Sequence, residues 1–160
     1  MRPALTTTAL LLATGSWLWP WLAVTPAAAS GGLHCGADDA AVAFSVQGGL
    51  TRGTGALFNF RGEIKLRLAG APDDFRALTL DSSDLIQRWL DDKELKLHIH
   101  HERSEGPYGA VTLLVETRGD PDDEGNYHGN YVLTVSSTLS DRDVEATQVE
   151  ARGAATCSAE

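Results

Sequence analysis

Residues 56–68 read Ala56-Leu57-Phe58-Asn59-Phe60-Arg61-Gly62-Glu63-Ile64-Lys65-Leu66-Arg67-Leu68, and their alternation points to a β protein. Ala56, Phe58, Phe60, Gly62, Ile64, Leu66 and Leu68 take every second place, with Asn59, Arg61, Glu63, Lys65 and Arg67 between them. Successive side chains of a strand point to opposite faces, so this spacing predicts a strand with one apolar face. The run is long for a small sheet, and Gly62 at its middle is the expected place for a bend or bulge, as at a barrel corner.

The same period recurs on both sides. Val42, Phe44 and Val46, then Leu78 and Leu80, then Leu95, Leu97 and Ile99, then Val111, Leu113 and Val115, and finally Tyr131, Leu133 and Val135 each mark a strand. Turn-forming pieces separate them: Gly48-Gly49, Gly70-Ala71-Pro72-Asp73, Ser104-Glu105-Gly106-Pro107, residues 120–125 and Ser140-Asp141. Seven or eight such strands form an antiparallel meander, and the long central strand favours its closure as a β-barrel, with a β-sandwich as the alternative. One short helix is expected at residues 82–91, over an open end of the sheet. Asp81 and Asp84 have the spacing of a helix cap, and Leu85, Ile86, Trp89 and Leu90 fall on one helical face.

The N-terminus reads as a cleavable secretory signal over residues 1–29: Arg2, an apolar run from Leu5 to Val24, and Ala27-Ala28-Ala29 before Ser30. Thr14-Gly15-Ser16 and Pro20 interrupt the run, and no charged flank follows it, so no stable membrane anchor is expected after cleavage. His34 before Cys35 does not suit lipoprotein processing, which needs a small residue there. Residues 30–160 are then one β-barrel domain, periplasmic or secreted. Cys35 and Cys157, the only cysteines, are expected to pair as a disulfide in that oxidising compartment. Removing residues 1–29 takes away one arginine and no acid, leaving 12 basic against 22 acidic residues and a formal charge of −10. Such a surface repels nucleic acid and anionic headgroups.

Leu97-His98-Ile99-His100-His101-Glu102 concentrates the histidines. On a strand His98 and His100 project to one face, about 6–7 Å apart, a spacing that suits zinc or copper. They share that face with Glu94 and Lys96, and only His128 can approach from another strand, so the cluster is read as solvated surface. Asp120-Pro121-Asp122-Asp123-Glu124-Gly125-Asn126 opens like a calcium loop, with oxygen donors at Asp120, Asp122 and Glu124. Its twelfth position is Tyr131 where a bidentate glutamate is needed, and its flanks read as strands, so an acidic hairpin loop is the expected form. No Gly-x-Ser-x-Gly, no Ser-x-x-Lys and no evident triad is found, which points away from an enzyme, and no cofactor is implied. Phe58 and Phe60 on the inward face, Trp89 on the helix, and Tyr108, Tyr127 and Tyr131 near turns either line an apolar cavity or fill an ordinary core.

Val42-Ala43-Phe44-Ser45-Val46, the run Gly55 to Ile64, Leu78-Thr79-Leu80-Asp81-Ser82-Ser83-Asp84-Leu85, and Gly129-Asn130-Tyr131-Val132-Leu133-Thr134-Val135 together resemble the YceI-like family of periplasmic barrels. The resemblance implies a lipocalin-like β-barrel and a non-enzymatic carrier of an isoprenoid or other apolar lipid-like ligand. Phe44, Phe58, Phe60, Ile64, Leu66, Trp89, Leu97, Leu113 and Leu133 are the expected lining. This chain departs from the family at Gln47-Gly48-Gly49, where a histidine is usual, and in its terminal cysteine pair. The alternative is a small envelope interaction or inhibitor module that meets a basic protein partner through acidic loops such as residues 120–126.

Overall fold

The computed structural model describes residues 30–51, 55–91, 93–140 and 145–160, so the signal-peptide reading lies outside the described residues. Among the described residues nine strands follow one another: β1 Ser30–Asp38, β2 Val42–Thr51, β3 Leu57–Leu66, β4 Ala77–Leu80, β5 Leu85–Leu90, β6 Glu94–Glu102, β7 Gly109–Asp120, β8 Asp123–Ser137 and β9 Thr147–Ala159. They form a single sheet in the order β4-β3-β2-β1-β9-β8-β7-β6-β5, and every pairing is antiparallel. One continuous sheet, curled so that its inner face encloses one core, is barrel-like and sets the sandwich alternative aside.

The sheet's two edge strands, β4 and β5, are successive in the chain. β4 pairs with β3 and β5 with β6, so residues 77–90 run along the seam and complete one edge with their first half and the other with their second. Ser82 Oγ donates to the Phe60 carbonyl at 3.3 Å and Arg88 Nη1 to the Gly55 carbonyl at 2.6 Å, which ties the seam to β3 and to the connection that precedes it. Such contacts satisfy groups that an open edge would leave to solvent.

The expected helix at residues 82–91 is not formed. Its cap geometry is present, since Asp84 Oδ2 accepts the Asp81 N–H at 2.8 Å and Asp81 Oδ1 accepts the Ser83 N–H at 2.7 Å, but it closes a turn that leads into β5. Pairing with β6 gives residues 85–90 a ladder, and tertiary context overrides a cap signal followed by only two turns of weak periodicity. The element that closes an end of the barrel lies earlier, at the 3-10 turn Asp73–Phe75, which begins at the last residue of the turn at residues 70–73 and was not itself expected. Phe75 from this turn is 2% exposed in the core, and the Arg103 guanidinium lies over its ring at 4.9 Å from the centroid. Arg103 is itself held by Asp74, with Nε to Oδ2 at 2.7 Å and Nη2 to Oδ1 at 3.0 Å.

The long alternation also breaks, though not at Gly62. The register of β2 and β3 shifts between Gln47 and Gly49, and Asn59 takes a φ of +51°, a conformation that asparagine tolerates better than most residues. Phe60, Ile64 and Leu66 point inward as expected, whereas Phe58 turns outward, 41% exposed, and lies across Gly49. A Cβ at Gly49 would fall within the Phe58 ring, so the glycine is what allows that ring to lie flat on the sheet.

Cys35 and Cys157 are bonded, directly opposite one another on β1 and β9, and both are buried. The bond joins the first described strand to the last where the two meet in the middle of the sheet. At the end of the barrel that carries the β1–β2 turn, Tyr131 buries its ring edge-on against Phe44, with centroids 5.6 Å apart, and donates its hydroxyl to Asp39 Oδ2 at 2.6 Å. Asp39 Oδ1 also accepts the Ala41 and Val42 N–H groups, at 2.8 and 3.0 Å.

The Tyr131 hydrogen bond, helped by those backbone donors, holds the Asp39 carboxyl below its usual 3.8, against the opposing effect of desolvation. Arg103 does the same for Asp74. A folded-state pKa below the unfolded value contributes stability that is present above about pH 4 and lost as the pH falls through the folded value. Asp39→Asn is therefore expected to lower stability at pH 7 by about 1–2 kcal/mol and to flatten the acid limb of the stability profile. Chemical denaturation between pH 2 and 7 measures both, and an unchanged acid limb would refute the assignment.

Candidate functional site

The turns of a meander alternate between the two ends of a barrel, and here Phe75 fills the core at one end, the closed end, beneath a surface hollow of about 640 Å³ that Pro72, Asp74, Arg103 and Thr138 help to line. The closed end carries Phe75, Arg103 and Asp39. At the other end Thr51 and Gly55 of the β2–β3 connection, Leu90 at the end of β5 and Asp91 after it, residues 119–121 and 124–127 of the β7–β8 hairpin, and Ala159 and Glu160 surround a mouth of about 650 Å³. Its apolar wall is Leu50, Leu90 and Tyr127, and the Tyr127 hydroxyl donates to the Asp91 carbonyl at 3.1 Å. Its acids are Asp91, Asp120, Glu124 and Glu160, and no Lys, Arg or His is among the described residues that line it.

Local backbone chemistry sets these acids. Asp91 Oδ1 accepts the N–H groups of Lys93 and Glu94, both at 2.8 Å, which keeps its carboxyl below the usual range. Asp120 Oδ1 accepts the Asp122 N–H at 2.9 Å, and Gly125 supplies the φ of +87° that the hairpin requires. The loop that opens like a calcium site thus forms the expected acidic hairpin: Asp120 and Glu124 face the mouth, Asp122 is exposed, and Tyr131 at the twelfth position points into the core. The four carboxylates around this partly apolar opening outnumber the bases beside it, Arg88 at the Gly55 carbonyl, Lys93 next to Asp91 and His128 3.9 Å from Asp120, and the net negative potential is the field that attracts a cationic group.

The histidines divide by face. His98 and His100 share the outer face of β6. His100 is engaged, with Nδ1 2.9 Å from Thr112 Oγ1 and Nε2 3.1 Å from Glu102 Oε1. His128 lies in register with Arg118, well along the strand from the His98–Leu114–Val132 row, and so does not join them. Among the described residues no group of three His, Cys, Asp or Glu side chains is placed to hold a metal ion. His101 faces the seam, with Nδ1 2.8 Å from Oδ1 of the buried Asp84.

Of the nine side chains expected to line a ligand cavity, Phe44, Phe60, Ile64, Leu66, Leu97, Leu113 and Leu133 lie inward, each no more than 4% exposed. They form one packed cluster with Tyr131, Ile99 and Phe75. Phe58 and Trp89 are instead on the outer surface, Trp89 being 55% exposed on β5 and not on a helix. Leu50, Leu90, Asp91 and Glu160 were not singled out from the sequence as a site, and Tyr127 was read there only among the aromatics that line a cavity or fill a core. The signal that could have gathered them is the alternation of turns, which assigns the β2–β3, β5–β6 and β7–β8 connections to one end once residues 77–90 count as a single ascending passage.

Fold and site together define a barrel-like, disulfide-linked, all-β protein with one plugged and one acidic end. A scan against protein-family models and searches of curated proteins and of solved structures found no match. Among the described residues no helix is long and apolar enough to cross a membrane.

Proposed function

We propose that this is an exported, non-enzymatic binding protein whose acidic mouth receives a cationic, partly apolar segment of a protein partner. The carrying observation is the convergence of Asp91, Asp120, Glu124 and Glu160 around Leu50, Leu90 and Tyr127 without a lining base. The disulfide and the signal-like residues 1–29 support periplasmic or secreted placement. Titration with a lysine-rich peptide carrying one aromatic residue tests the reading. Binding should weaken as salt rises through the physiological range. The Asp120→Asn, Glu124→Gln double variant should lose roughly two- to fivefold in affinity per charge removed. Affinity indifferent to both salt and substitution would overturn it.

The YceI-like resemblance supports a second reading, an apolar carrier. A lipid inside the barrel would have to part the packed rows around Leu113 and Leu133, whereas Leu50, Leu90 and Tyr127 already give the mouth an apolar floor. Native mass spectrometry of protein purified after export would support the carrier if a lipid-sized adduct survives desalting, and would count against it if only bare protein is seen.

A further inference from the structure

We propose that the outer face of β5, β6 and β7 binds a neutral pyranose oligosaccharide, with Trp89 as the stacking platform. In this region a groove of about 430 Å³ runs beside Trp89. Trp89 is 55% exposed, and its Nε1 donates to Asp91 Oδ2 at 3.1 Å, which restricts rotation of the indole while leaving it largely uncovered. An exposed ring held in one orientation loses little entropy when it stacks, the quality that makes indole an effective anchor.

The residues around the ring suit hydroxyl groups. Trp89 pairs across the ladder with Lys96 and Lys96 with Glu116, while Gln87 pairs with His98 and His98 with Leu114. Alternation places these side chains on the same outer face, so a ring laid on Trp89 meets amide, imidazole, ammonium and carboxylate groups in adjacent rows.

The charges select a neutral ligand. Lys96 Nζ lies 2.9 Å from Glu94 Oε2, an ion pair that with the charge of Glu116 raises the Lys96 pKa. Arg118 stands opposite Glu94 on β7 and shares this face, whereas Arg88 lies in the Leu97 row and sends its guanidinium to the Gly55 carbonyl. Two bases, Lys96 and Arg118, and two acids, Glu94 and Glu116, therefore balance on this outer face. An anionic or cationic ligand gains no net field here. A neutral polyol gains hydrogen bonds from both signs of charge, and the apolar C–H face of its ring gains contact with the indole.

The test uses protein purified after export and three probes: cellohexaose, chitohexaose and maltohexaose. Isothermal calorimetry and the Trp89 indole N–H resonance, assigned with a Trp89→Phe variant, follow binding. The expected result is saturable binding of at least one probe, weakened about tenfold by Trp89→Ala and largely kept by Trp89→Tyr. The melting temperature should move by no more than about 2 °C, because the side chain is exposed. Glu124→Gln at the mouth should leave saccharide binding unchanged, so failure of this proposal is distinguishable from failure of the mouth reading. The proposal is overturned if no probe saturates at concentrations on the order of 10 mM. Binding that survives Trp89→Ala also overturns it. So does a Trp89→Ala variant that alters self-association by sedimentation without altering saccharide binding, since the face is then a protein contact.

Discussion

Removing the Cys35–Cys157 bond, either with reductant or by Cys35→Ala with Cys157→Ala, should lower stability by on the order of 4–5 kcal/mol while leaving the β-sheet intact. The bond spans 122 residues of sequence and joins β1 to β9, the strands that bring the two ends of the described chain together. Without it the unfolded chain regains the entropy of a loop that contains nearly the whole domain, and the ladder between β1 and β9 must close that loop unaided. That ladder is short, from Leu33 opposite Ala159 to Gly36 opposite Thr156. The core contributed by β2, β3, β6, β7 and β8 does not depend on the sulfurs, so strand content should persist below the transition. Thermal unfolding followed by circular dichroism with and without reductant should show a midpoint lower by roughly 10–25 °C. An unchanged midpoint would show that the bond contributes nothing.

Phe75→Ala is expected to cost about 3–5 kcal/mol, against less than about 1.5 kcal/mol for Phe58→Ala, although both replace a phenylalanine in a β protein. Phe75 is 2% exposed and carries the Arg103 guanidinium on its ring, so its removal opens a cavity at the plugged end and leaves Arg103 over empty space. Phe58 is 41% exposed, and water already meets much of its surface. Urea denaturation of the two variants measures the difference directly. Equal losses would mean that Phe58 points inward and that the register shift at Gln47–Gly49 is not as described.

That comparison also shows where sequence reasoning runs out. Periodicity located Phe60, Ile64 and Leu66 on the inner face correctly, because alternation is a local property of an extended backbone. It misassigned Phe58, because a bulge shifts the parity by one residue and its only local trace was Asn59 beside two glycines on the opposite strand. The helix expected over residues 82–91 failed for a related reason. Asp81 and Asp84 make the hydrogen bonds of a cap, and whether a cap starts a helix or turns a chain depends on the strand available to pair next, here β6. Phe75 offered no periodic signal at all, since a single residue on a turn repeats with nothing.

Of the candidate site, Asp120 and Glu124 were legible as an acidic hairpin, because Asp, Pro and Gly state their turn preference locally. Their partners at the mouth were not, since Leu50, Asp91 and Glu160 reach the same place only through the pairing order of the strands.

By itself, then, the sequence determined the all-β class, most of the strands, the inward faces of the central ones and the pair of cysteines able to bond. Each of these follows from residue type and spacing along a short length of backbone. Only the tertiary structure decided that residues 77–90 form the seam, that Phe75 is the plug, that Trp89 faces outward and that four distant carboxylates meet around one opening. These depend on register between strands far apart in the chain, where a shift of one residue reverses every side chain and no local pattern records it.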